Sequence, residues 1–443
     1  MAQLIYLVYP FNMRILFFIL LSSCQLWHPA PKKKVILISI DGLRPEFYQD
    51  AKFDTKNLKK LAKEGVYAPA MKSVFPTLTY PNHTTLVTGK NSSEHGIYSN
   101  QKFNRDAGPT TEWYWYEKDI KTITLWDEVK KSGGTTLGVH WPVSAGAPIS
   151  YNIPEIFETP PWLTGPSFDL VNIYGTKNLA NKMNQELGLK PYTNMKEADI
   201  WAAKVFPYLF KKHSPDFSAL HLIYADKNQH ESGRDSKATK EAIKWLDGKL
   251  SPIIKAMDKK TCLMIVGDHG FMDYSKLIHI NALFYKKGWI KVNKKTKEIK
   301  SYQVVAQKSG GQAAIYLKDR AIYSQVMRVL RQNQGLGYEV VSRKDLDRLK
   351  AYPGAIAALS PKDGFSLGAN TTGKISEELK KVKGQHGHLP NLEKMQTGFI
   401  AYNCGLKAID QVIQNTWIAP AILEYLGLAK KPALEAGLEF EKH

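Results

Sequence analysis

An α/β fold with a mostly parallel sheet flanked by helices is predicted by three short apolar runs, and a cap region inserted in it by a later lysine-rich segment. Val35-Ile36-Leu37-Ile38-Ser39-Ile40 ends at Asp41, Leu220-His221-Leu222-Ile223-Tyr224 leads into Asp226, and Cys262-Leu263-Met264-Ile265-Val266 leads into Asp268. Apolar runs of this length fit strands buried on both faces, as in parallel sheets. Side chains at the carboxyl ends of such strands converge in one crevice.

The N-terminal segment carries a targeting signal. Met13-Arg14 followed by Ile15-Leu16-Phe17-Phe18-Ile19-Leu20-Leu21 is too short for a stable bilayer span and fits a signal h-region. Leu21-Ser22-Ser23-Cys24 resembles a bacterial lipobox, with Cys24 as the lipidated residue. The expected location is the periplasm or cell envelope, with the membrane reached through a lipid anchor only. An ordinary cleaved signal or an uncleaved anchor is the alternative, and translation starts at Met1 or Met13. The expected organisation is a signal peptide over 1–23, a linker over 24–33, a catalytic domain over 34–428 and a tail over 429–443.

Next along the chain, Phe75-Pro76-Thr77-Leu78-Thr79-Tyr80-Pro81-Asn82-His83 reads as a turn, an N-cap at Thr79 and a helix with Pro in its first turn, closed by Gly89. A hydroxyl at a helix N-terminus faces free backbone N–H groups and the positive end of the helix dipole, a setting suited to phosphate. Simple capping is the competing reading of Thr79.

The stretch from about Gln101 to Asp216 is rich in Trp, Tyr and Pro and is expected to supply one sheet edge and the substrate-facing wall. From about Lys276 to Lys383 the chain is lysine-rich. Its Ala313–Leu317 run and the following Arg320–Gln332 helix pattern predict a small α/β cap over 276–383.

Four segments hold residues that bind metal. Asp41 is followed by Gly42; Asp226 and His230 are one helical turn apart; Asp268-His269 lies between Gly267 and Gly270; His386 lies between Gln385 and Gly387. Three aspartates and three histidines make a ligand set for two zinc-type ions with open positions. Each alone is more often a turn, cap or loop residue, so the joint pattern carries the inference. His388 is a competing ligand, since it points the same way as His386 in an extended segment.

With these motifs in this order, the chain resembles the nucleotide pyrophosphatase/phosphodiesterase family of the alkaline phosphatase superfamily, from about Val35 to about Leu428. The carrying residues are Ile40-Asp41-Gly42, Thr79-Tyr80-Pro81-Asn82-His83, Glu94-His95-Gly96-Ile97 with Asn100, Asp226 with His230, Asp268-His269-Gly270 and Gln385-His386-Gly387. The resemblance implies an alkaline-phosphatase-like core and two Zn²⁺ ions, one on Asp226, His230 and His386, the other on Asp41, Asp268, His269 and the Thr79 oxygen. It further implies Thr79, rather than Thr77, as the nucleophile forming a phosphothreonine ester, Asn100 and the Tyr80 N–H as donors to the phosphate, and Tyr80 as a stacking face for a nucleobase. Trp162 is the expected opposing wall. His83 and His95 are expected to be structural. Ala225, Gln229 and His388 depart from the family pattern without removing a ligand.

The remaining composition excludes little. The net charge of +20 is spread along the chain without a nucleic-acid motif, so specific nucleic-acid binding is not expected, although a basic surface draws anionic substrates. Cys262 and Cys404 imply no disulfide framework, and Cys262 is expected to be buried and inert. The expected activity is two-zinc hydrolysis of a small phosphodiester or pyrophosphate, of nucleotide type. A phosphomonoesterase or lipid-headgroup phosphodiesterase on the same core is the alternative, and a binding protein on a decayed scaffold would require a lost ligand. The Cys/Ser-x-Pro-x-Arg motif of sulfatases is absent.

Overall fold

The computed structural model describes residues 33–158, 166–429 and 437–441. The signal peptide, the linker up to residue 32, Cys24 and Trp162 lie outside the described residues. Among those described, no helix is long and apolar enough to cross a membrane.

The apolar runs form the centre of a seven-stranded sheet. Its order is Val66–Tyr67, Phe399–Tyr402, Thr261–Val266, Lys34–Ile40, Phe217–Leu222, Thr136–Val139 and Tyr151–Ile153. Strand 34–40 runs parallel to both 217–222 and 261–266, and the parallel arrangement continues through 136–139 to 151–153. Only 399–402 and 66–67 are antiparallel, at the other edge.

Alternation along each strand feeds two cores. Ile36, Ile38 and Ile40 pack on one face with Leu220, Leu222 and Ile265, beneath the helices Met195–His213 and Lys237–Ala256. Val35 and Leu37 point to the other face with Phe217, Met264 and Val266, beneath Thr79–Thr88 and Ile418–Tyr425. Helices on both faces explain why the central strands are continuously apolar.

Cys262 is fully buried, as expected, but it is not a lone thiol. It forms a disulfide with Cys404, 142 residues away. The antiparallel strand 399–402 sets Tyr402 opposite Leu263, which brings Cys404 alongside Cys262.

Two further sheets complete the frame. Met272–Ile278 pairs antiparallel with Ser376–Gln385 and parallel with Gly364–Leu367, and Met272 opposite Gln385 delivers His386 to the end of the central sheet. Val304–Ser309, Gln312–Leu317, Ala357–Pro361 and Tyr338–Ser342 form a separate antiparallel sheet, packed on the helix Tyr323–Gln332.

Candidate active site

Strand register places the first two acids side by side. Ile40 lies opposite Leu222 and Ser39 opposite Val266, so Asp41 and Asp268 leave neighbouring strands at the same end. Gly42 turns the chain at φ +68°, and a Cβ there would fall 2.6 Å from Gln229 Nε2. Gln229 therefore has a role: its buried amide donates to Gly42 O at 3.0 Å and ties the second ligand segment to the first. Gly267 and Gly270 are required for space rather than for a turn, since a Cβ would meet Leu43 O at 2.4 Å and Lys394 O at 2.1 Å respectively.

Asp226 and His230 lie on the helix Tyr224–Ser232, with His230 Nε2 3.4 Å from Asp226 Oδ1. The buried Asp199 carboxylate accepts the Ile223 and Tyr224 N–H groups at 3.1 and 2.9 Å, and so orients the start of this helix. His386 approaches Asp226 Oδ1 at 3.8 Å and stacks on His269 at 3.5 Å between centroids.

The six ligand candidates thus fall into two clusters, Asp226, His230 and His386, and Asp41, Asp268 and His269, with donor atoms inside each within 4.8 Å of one another. The donor chemistry fits cations. Asp41 Oδ1, Asp226 Oδ1 and Asp268 Oδ2 are buried without a hydrogen-bond partner, although such oxygens are almost always satisfied. Each imidazole is also poised: His230 Nδ1 donates to Gly384 O (3.0 Å), His386 Nδ1 to Thr77 O (3.0 Å) and His269 Nδ1 to Gly270 O (3.2 Å). A carbonyl can only accept, so the proton sits on Nδ1 and the Nε2 lone pair faces the cluster. His388 is outside both clusters. It is fully buried, and burial pushes its pKa down to about 4.

The charges in the second cluster are unbalanced. Burial pushes Asp41 up, but the hydrogen bond with His221 and the neighbouring His269 ring outweigh it and hold the carboxyl well below its usual range. Burial and the neighbouring Asp41 charge push Asp268 up to about 8. Two neighbouring buried carboxyls cannot both ionise freely, and a cation between them would relieve that repulsion.

Thr79 is one residue further into its helix than the sequence predicts. Leu78 takes the extended cap position, Thr79 opens the helix Thr79–Thr88, and Gly89 ends it at φ +67°. The Thr79 hydroxyl is therefore not spent on capping. Thr79 Oγ1 lies 3.4 Å from His269 Nε2. His83 Nδ1 bonds Thr79 O at 2.8 Å, in keeping with a structural role, and His95 contacts Thr85 Oγ1 at 3.2 Å. Asn82, to which the sequence reading gave no role, accepts from Val74 N and Asn415 and donates to Pro76 O and Leu78 O, fixing the loop that presents Thr79.

The environment of Tyr80 corrects two expectations. Its N–H donates to Asn100 Oδ1 at 3.0 Å, so it is not a free phosphate donor, and the Asn100 side chain faces the cavity instead. Its ring is 1% exposed, edge-on to Trp113 and Trp115, and its hydroxyl donates to Glu155 Oε1 at 2.8 Å. It borders the cavity but leaves little ring surface for stacking a base. Glu155 Oε2 meets His221 Nδ1 at 2.9 Å, and His221 Nε2 meets Asp41 Oδ2 at 3.1 Å. A histidine inside an otherwise apolar strand was the one sequence signal of this chain of contacts; Glu155 gave none.

Above the clusters lies a cavity of about 530 Å³, lined by Thr79, Asn100, Trp113, Phe157, Lys308 and His386 among others. It is an aromatic-walled pocket with a hydroxyl and residues of both candidate metal clusters at its base.

A profile of the type I phosphodiesterase / nucleotide pyrophosphatase family matches residues 35–389. Mouse ectonucleotide pyrophosphatase/phosphodiesterase family member 7 is 26% identical over 282 residues, 60% of this chain and 56% of its own length. The Xenopus laevis bis(5′-adenosyl)-triphosphatase is 27% identical over 261 residues, 56% of this chain and 50% of its own. The chain thus spans about half the length of these relatives. The solved structure of murine ectonucleotide pyrophosphatase/phosphodiesterase 5 shares the fold, with a TM-score of 0.65 at 20% identity over 90% of this chain and 96% of that one. An inactive threonine-to-alanine variant of that murine protein has been solved with AMP. With a family profile running through every ligand segment, this chain belongs to the type I phosphodiesterase / nucleotide pyrophosphatase family.

Proposed function

We propose that the protein is a two-zinc phosphodiesterase or nucleotide pyrophosphatase that transfers a phosphoryl group through Thr79. The observation that carries this reading is the Thr79 hydroxyl, 3.4 Å from His269, with an Asp/His cluster of matching donor type on either side of the stacked His269 and His386 rings. Asp226, His230 and His386 would hold one ion, and Asp41, Asp268 and His269, with Thr79, the other. When bound, such paired ions neutralise charge on the attacking and leaving oxygens.

The chain's own residues supply the rest. Thr79 Oγ attacks phosphorus as its proton passes to solvent, and a phosphothreonine ester forms. The bond to the leaving oxygen breaks, that oxygen departing with the electron pair and taking up a proton from solvent. Water then cleaves that ester and restores the hydroxyl. The Asn100 amide donates to a non-bridging oxygen, and its carbonyl, held by the Tyr80 N–H, keeps it aimed there.

A nucleotide is the substrate class that the pocket favours. The half-buried Trp113, stacked on Trp115 at 5.2 Å, offers the aromatic platform in place of Tyr80, and base stacking of this kind contributes about 1–3 kcal/mol. Export is supported by the signal-like N-terminus and by the Cys262–Cys404 disulfide, a bond that persists in oxidising compartments. The purified protein is expected to hydrolyse bis-p-nitrophenyl phosphate faster than p-nitrophenyl phosphate; a wide margin for the monoester would instead establish a phosphomonoesterase.

A further inference from the structure

Most charged groups around the cavity already have partners. Asp41 and Asp226 face imidazoles, Glu155 accepts from the Tyr80 hydroxyl and meets His221, and Lys227 pairs with Glu231 one helical turn away. Lys308 is different. Among the described residues its ammonium has no ion pair and no hydrogen bond, yet the side chain lines the cavity and burial holds its pKa below that of an ordinary lysine. Its side chain is partly buried, and an ammonium partly drawn out of water without a carboxylate beside it carries a cost. An anion entering the cavity would offset that cost.

The backbone fixes Lys308 at the reaction centre. It stands next to Ser309, whose hydroxyl bonds that of Ser99 at 2.6 Å, and Ser99 precedes Asn100. The turn that follows is anchored on the other side, where Gly311 N–H donates to His386 O at 2.7 Å. Gly310 has φ +56°, and a Cβ on it would sit 2.6 Å from both His386 O and the Leu78 side chain. The tip of this hairpin is thus wedged between a candidate metal ligand and the residue before Thr79, and no freely moving loop carries the lysine.

The attacked phosphate has the two clusters and Asn100 to itself, so Lys308 is a cation beyond what one phosphodiester charge requires. We propose that Lys308 is a subsite for a second anionic group of the substrate, a further phosphate next to the one that Thr79 attacks, and that it selects such substrates over esters whose other substituents are uncharged. This rests on the phosphodiesterase reading above. The subsite makes no covalent bond; it contributes charge-assisted hydrogen bonds to non-reacting oxygens.

The test compares kcat/KM on ATP with kcat/KM on the p-nitrophenyl ester of thymidine 5′-monophosphate, in wild type, Lys308→Met and Lys308→Arg. The ratio of ATP to ester is expected to fall at least about tenfold in Lys308→Met, the scale of a hydrogen bond to a charged group, and to recover in Lys308→Arg. Melting temperature is read alongside and is expected to hold in Lys308→Met, because only a partly buried ammonium without an ion-pair partner is removed. A proportionate loss on both substrates would put Lys308 at the attacked phosphate and overturn the subsite, as would an unchanged ratio. If wild type cleaves neither compound, the phosphodiesterase reading itself fails; if it cleaves the ester and the ratio ignores residue 308, only the subsite fails.

Discussion

The phenol of Tyr80 donates to Glu155 Oε1 at 2.8 Å, and through it the residue after Thr79 joins the chain of contacts that ends on Asp41. Glu155 is thereby a positioning residue for both the nucleophile helix and a candidate metal ligand. Glu155→Gln keeps an acceptor for Tyr80 but weakens the hold on His221. Because Glu155 reaches Asp41 only through His221, metal affinity is expected to drop by less than the roughly 10- to 100-fold that follows loss of a ligand's direct partner, as measured by chelator competition. Unchanged affinity would leave Glu155 with a packing role only.

Thr79→Ala should abolish turnover while metal content stays near two ions per chain, because both clusters keep all six Asp and His donors. Metal analysis and a single-turnover assay on the same preparation check both halves. Retained turnover would dismiss Thr79 as nucleophile.

His386 and His388 have opposite expected phenotypes. His386→Ala removes a donor from the cluster with Asp226 and His230 and should cost about one bound ion per chain. His388→Ala should leave metal content unchanged and lower the melting temperature, as for other large-to-small changes at buried sites. Loss of metal in His388→Ala would mean that His388 swings into the site.

Asp199 predicts a pH dependence of stability. Burial pushes its carboxyl up to about 7, from an ordinary value of 3.8. The folded protein therefore keeps a proton that the unfolded chain releases, so this contribution is complete below about pH 4 and is lost as pH rises towards 7. Urea midpoints at pH 5 and pH 7.5 should show a larger decline for wild type than for Asp199→Asn. Identical declines would show that Asp199 is ionised in the folded state.

Reduction is expected to destabilise the protein. The Cys262–Cys404 bond closes a loop across 142 residues of sequence separation, and losing a native disulfide of this kind costs about 2–5 kcal/mol. Cys404→Ser should melt well below the oxidised wild type, at a temperature indifferent to reductant.

The ligand candidates that the fold brings together could be read from the sequence because their chemistry and their position coincide: each central strand is a continuous apolar run, and its acid comes directly or a few residues after it. Tyr80 was misread because its burial depends on Trp113, Trp115 and Glu155, which arrive from another part of the chain. The disulfide was illegible for a similar reason, since two cysteines form no pattern until an antiparallel edge strand sets Tyr402 against Leu263. Thr79 was placed one residue early because an extended Leu78 can cap a helix through its backbone alone.

The Gly311 N–H bond to His386 O ties the hairpin of strands 304–309 and 312–317 to a candidate metal ligand. A substrate that shifts this turn also pushes on the strand end presenting His386, so recognition and coordination share one mechanical element. Variation in the cap is thus constrained unevenly: its outer strands can drift, whereas the few residues from Lys308 to Gly311 cannot move without detuning the catalytic centre.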